Sequence, residues 1–168
     1  MRMMRFAVMV GLVTALTLSV GVAGPEETNW FDAKNCAMCK NLGAEEGLLE
    51  NMRWETHKIS NGMLSVAVIP EEYEEKFARA AANMNKVAKE MQGGTTPHLC
   101  GFCTNYGMLM MSGATAEELH TDAGHISLVT ASDSEVIEKI HKHADKTVAE
   151  YKKMMAGEAP YDRVTATN

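Results

Sequence analysis

Four residues in this chain have both the type and the spacing for chemistry. They are Cys36, Cys39, Cys100 and Cys103, arranged as Cys36-Ala37-Met38-Cys39 and Cys100-Gly101-Phe102-Cys103, and no other cysteine is present. Two thiols three positions apart on a helix share a face, close enough to chelate one ion or to oxidise to a disulfide. A cysteine at a helix N-terminus also has a lowered pKa. That favours the thiolate, the form that binds metals and exchanges disulfides.

Three readings follow. In the first the cysteines are disulfide staples, as exported proteins use. A bridge across three residues, however, closes too short a loop to constrain the unfolded chain much. In the second, all four thiolates hold one thiophilic ion: two pairs are the usual tetrahedral set for zinc, and soft sulfur also suits Cu(I). The third is thiol–disulfide exchange. It lacks the apolar strand that a thioredoxin-type site needs before it, because 92–97 (Gln-Gly-Gly-Thr-Thr-Pro) reads as a linker. A c-type haem is excluded, since Lys40 and Thr104 stand where that motif needs histidine. The reading carried forward is metal binding by Cys36, Cys39, Cys100 and Cys103, with zinc or Cu(I) as the ion and no catalytic residue assigned.

Other metal-binding residue types give weaker patterns. His98 lies two residues before Cys100 and is placed to join or orient a site there. His141 and His143 are two apart, so on a helix they diverge and do not chelate together, with His141 beside the apolar stripe and His143 nearer solvent. His57 and His120 fall near matching positions before two turns and read as strand residues. Met38 lies inside the first pair and Met108, Met110 and Met111 behind the second. Thioethers favour copper, although methionine is more often a filler of cores. There is no phosphate-binding glycine loop, nucleophile elbow or H-E-x-x-H helix.

The elements that must position the cysteines are legible in outline. Met38, Leu42, Leu49 and Met52 recur at helical intervals, but Gly43 and Gly47 divide the stretch into two short helices. Residues 53–60 and 63–69 flank Asn61-Gly62, which predicts a hairpin with a type I′ turn, Leu64, Val66 and Val68 sharing one face. Pro70-Glu71-Glu72 opens a helix whose stripe is Tyr73, Phe77, Ala80, Met84, Val87 and Met91. The order then returns. The second cysteine pair leads into a helix bearing Tyr106, Leu109 and Met110. A short strand at 118–121 and a turn at 122–124 precede a strand with Ile126, Leu128 and Thr130 on one face. Ser132 and Glu135 form a capping box, and the helix behind turns Ile137, Ile140, Ala144, Val148 and Tyr151 inward.

Offsetting the halves by 62 residues places Gly62 on Gly124, Leu64 on Ile126 and Val66 on Leu128, whereas the cysteines align at 64. This predicts an internal duplication with repeats at 35–92 and 97–156. The fold class is α+β: a helix–β-hairpin–helix unit used twice, giving a four-stranded antiparallel sheet with helices packed on one face.

With 168 residues and 46% hydrophobic content, the chain can bury one compact domain, taken as 24–156 with a loose tail at 157–168. Ahead of it, Arg2 and Arg5 precede an apolar run at 6–20 and small residues at 21–23, the pattern of a secretory signal peptide cleaved after Ala23. The expected location is therefore periplasmic or secreted. The full chain carries 16 basic and 22 acidic residues; losing Arg2 and Arg5 leaves 14 basic ones and a net charge of −8. Without a Lys/Arg cluster, that balance argues against nucleic acid or an anionic membrane surface as partner and suits a cation.

Overall fold

The computed structural model describes residues 29–122 and 124–156. The expected signal peptide at 1–23, the residues after it as far as Thr28, the expected tail at 157–168 and Ala123 lie outside the described residues. Two four-residue helices come first, α1 (Lys40–Gly43) and α2 (Leu48–Asn51), separated where Gly47 takes φ +75°. A hairpin of β1 (Arg53–Ile59) and β2 (Gly62–Val68) follows, then a 3₁₀ turn (Glu71–Tyr73) running into α3 (Glu74–Gln92). The second half supplies α4 (Gly101–Met111), β3 (Thr115–Thr121), β4 (Gly124–Thr130) and α5 (Ser134–Ala156). The α+β class and the four-stranded antiparallel sheet expected from the sequence are both present, in the order β1-β2-β4-β3. No helix among the described residues is long and apolar enough to cross a membrane.

The two hairpins meet at the centre of the sheet, where β2 runs antiparallel to β4 and Ser65 stands opposite Ser127. Arg53 pairs with Val68 in the first hairpin, and Thr115 with Thr130, each 62 positions later, in the second. The sheet thus has the same register in both halves. Two glycines permit the central pairing. A Cβ on Gly62 would fall 1.9 Å from the Val129 carbonyl oxygen, and one on Gly124, at φ +134°, 2.6 Å from that of Ala67. Only glycine lets these backbones approach.

Gly62 therefore does not serve the turn expected of it. The turn residues are Ser60 and Asn61, Gly62 is already paired with Ile59, and none of the three has positive φ, so the hairpin is not type I′. Strand β3 begins three residues earlier than its sequence indicates. All seven of its residues are exposed, so it carries no apolar alternation to read, and Glu117 and Glu118 charge this outer edge.

One face of the sheet carries the main core. Met63 and Val129 pack with Leu109 and Ala114 and with Val136, Ile140 and Ala144 of α5. A second cluster joins Leu48, Ile69 and Ala80, with Phe77 and Tyr73 half-buried against it. Leu64, Val66, Val68, Ile126 and Leu128 do share a face, as their alternation predicts, but it is the opposite one, and they remain half-buried. On α5 the inward stripe is rotated from the apolar one: His143 and Thr147 are buried with Val136, Ile140 and Ala144. Its cap is Asp133, not Ser132. The Asp133 Oδ1 accepts from the N–H groups of Glu135 at 2.8 Å and Val136 at 3.1 Å.

Candidate metal centre

The cysteine pairs sit at the starts of α1 and α4. Cys100 is the N-cap of α4, with extended backbone at φ −71°, ψ 171°, and Cys103 lies in its first turn. Cys39 is the N-cap of α1. Cys36 precedes that helix in a turn built on Asp32, whose Oδ1 accepts from the N–H groups of Lys34 and Asn35. The Asn35 side-chain amide donates back to Asp32 at 3.1 Å.

Main-chain hydrogen bonds hold the two pairs to one another. Ala37, inside the first pair, donates its N–H to the carbonyl of His98, just ahead of the second, at 2.9 Å. Gly101 and Phe102, inside the second, donate to the carbonyls of Asn29 and Trp30 ahead of the first, at 3.0 and 2.9 Å. Trp30 is buried, and Phe102 takes part in edge contacts with Trp30 and Trp54 and a tilted one with Phe31. The residues between the second pair's cysteines are thus pinned through both backbone and ring.

The result is one cluster of sulfur. The four Sγ atoms lie within 4.8 Å of one another. Cys39 Sγ is 3.6 Å from Cys100 Sγ and 3.5 Å from Cys103 Sγ. One tetrahedral ion with metal–sulfur bonds near 2.3 Å sets its ligands about 3.8 Å apart, so the spacing suits a single ion. A multi-iron cluster would insert iron and sulfide between the thiolates and spread them wider. Cys36 and Cys100 are fully buried, Cys39 and Cys103 partly so, which seals the site from one side and leaves an approach from the other.

The electrostatics divide the sulfurs into two kinds. Hydrogen bonds from Cys100, then Cys103 and Cys39, hold the Cys36 thiol far below the ordinary thiol range. Cys100 is drawn down to about 7, chiefly by Cys103. Cys39 and Cys103 are pushed up, each foremost by its bond to Cys100. In both pairs the backbone N–H of the second cysteine also donates to the sulfur of the first. Cys36 is the sulfur most readily ionised, and Cys39 and Cys103 serve as S–H donors. A bound ion would let all four ionise.

All four cysteines are free and none is at disulfide distance, so the staple expected as one alternative is not formed. The remaining candidates are dispersed. His98 is exposed and contributes its carbonyl, while its imidazole is outside the cluster. Met108 and Met111 are exposed and Met110 packs on the main core. His57 lies on the outer sheet face beside Glu55, and His141 Nε2 donates to the Ile59 carbonyl at 2.9 Å.

His143 reverses its expected exposure. It is buried among Trp30, Phe102 and Tyr106, with Nδ1 2.8 Å from Asn105 Oδ1. Its helical interval from Ile140 was the available signal, obscured by its polarity. No family model matches this chain, and neither a curated protein nor a solved structure is detectably similar to it.

Proposed function

We propose that this is an exported protein that holds one thiophilic ion, zinc or Cu(I), between Cys36, Cys39, Cys100 and Cys103. Its role is metal storage, sensing or structural metal binding, and no catalysis is assigned. The observation that carries the reading is the mutual approach of all four Sγ atoms to within 4.8 Å. The helix N-termini and the N–H···S bonds supply what thiolate ligands need. Zinc fits the tetrahedral set most simply; Cu(I) uses the same soft sulfur with fewer ligands. The apolar run at 6–20 supports export, and the common register of the hairpins supports descent of both halves from one repeated unit.

The test is to purify the exported protein without reductant and measure metal content and free thiols on the same sample. The reading expects one metal ion per chain and four alkylatable thiols after denaturation. Two disulfides and no metal would contradict it.

A further inference from the structure

A second group of metal-ligating side chains lies away from the cysteines, at the far end of the second hairpin. His120 on β3 and His125 on β4 are directly opposed across the strands. Their Nδ1 atoms are 2.7 Å apart, with the rings inclined at 78°. The other nitrogen of His125, Nε2, lies 3.1 Å from Glu74 Oε2 in the first turn of α3. Phe77, one turn further along α3, packs against the same ring at 4.5 Å between centroids.

These contacts fix the chemistry of His125. An ionised carboxylate only accepts, so Nε2 carries the proton, and in the neutral ring Nδ1 is then a bare lone pair. That lone pair points at His120 Nδ1. An imidazole whose far N–H is held by a carboxylate is the usual arrangement of a metal-bound histidine, with the carboxylate setting tautomer and ring orientation.

We propose that His120 and His125 form a second metal site. It takes a divalent ion of the imidazole-preferring class, such as zinc, through both Nδ1 atoms, with Glu74 as positioning residue and water completing the shell. Two nitrogens bound tetrahedrally to one ion at 2.0–2.1 Å lie about 3.3–3.4 Å apart, so the two nitrogens must separate by about 0.6–0.7 Å and the rings turn to aim both lone pairs at the ion. His120 is exposed on an edge strand and free to make that shift, whereas His125 is held by Glu74 and Phe77. The site is shallow and nitrogen-based, hence weaker than the buried thiolate site and suited to harder ions. It stands independently of the cysteine reading.

Equilibrium dialysis of the full chain against micromolar zinc tests the proposal. Wild type should hold one more equivalent than His120→Ala, and His125→Ala should show the same loss. Glu74→Gln should weaken that equivalent about tenfold or more, whereas His57→Ala should leave it unchanged. Cys103→Ser reports on the other site: it should remove the thiolate equivalent and keep the histidine one, so failure of either reading is seen separately. A thermal melt of His120→Ala, whose side chain is exposed, checks that the variant is folded. Equal zinc on wild type and His120→Ala, or the same loss from His57→Ala, would overturn the site and leave a hydrogen bond between two imidazoles.

Discussion

Cys39 and Cys103 are 64 positions apart in the chain, yet their sulfurs touch at 3.5 Å. Nothing local makes this contact. It follows from the exchange of main-chain hydrogen bonds between the two cysteine segments, through Ala37 and His98 on one side and Gly101 and Asn29 on the other.

One consequence concerns oxidation of the metal-free protein. Cys39 faces Cys100 at 3.6 Å and Cys103 at 3.5 Å, so either partner needs to close by only about 1.5 Å to reach a disulfide. With diamide as oxidant, two thiols give up two protons and two electrons and form one S–S bond. Peptide mapping should find the first bridge across the pairs, from Cys39 to Cys100 or Cys103. Bound metal should slow the reaction, because its sulfurs are then ligands and not free nucleophiles. A first bridge that leaves Cys39 out would contradict this prediction.

His143 predicts a pH dependence of stability. Burial alone lowers its pKa to about 4 from 6.5, and its Nε2 has no protein partner among the described residues. The unfolded chain then binds the proton more readily than the fold does. Stability from the neutral ring is present above pH 6.5 and is lost as pH falls from 6.5 towards 4, by about 3 kcal/mol at most. Denaturant melts across that window should show the slope in wild type and not in His143→Gln. Both proteins share any loss of metal in acid, so the difference isolates the histidine.

The glycines give a prediction of opposite signs. An Ala side chain at position 62 would meet the Val129 carbonyl oxygen at 1.9 Å, so the β2–β4 pairing must shift. Gly62→Ala should therefore cost roughly 1–3 kcal/mol or more. Gly107 lies inside α4 with nothing within 4 Å of its missing Cβ. Gly107→Ala should stabilise by about 0.5–1 kcal/mol, the helix-propensity gain. Chemical denaturation of the two variants checks both signs; a neutral Gly62→Ala would mean that the central strands are looser than described.

Much of the fold was legible because its periodicities are clean. The stripe from Tyr73 to Met91 and the alternation in β2 and β4 mark elements that the structure contains. The misreadings have identifiable causes. Asn61-Gly62 looks like a turn, but its glycine is required by a neighbouring strand that local sequence cannot reveal. The core uses Met63 and Val129, while the more regular Leu64, Val66, Ile126 and Leu128 occupy the other face, because packing depends on where helices land and not on alternation alone. His143 and Thr147 escaped notice as core residues because they are polar. At the candidate site, the four cysteines were evident from their spacing, whereas their convergence depends on tertiary hydrogen bonds. The His120–His125 contact was hidden for the same reason, since it needs the hairpin register.

X-ray absorption at the metal edge of the protein as purified addresses the central claim most directly. For bound zinc the account predicts a first shell of four sulfurs near 2.3 Å, and replacing Cys103 with serine, which removes the thiolate equivalent, should abolish that sulfur shell. A first shell dominated by nitrogen or oxygen, or a shell unchanged in Cys103→Ser, would contradict it.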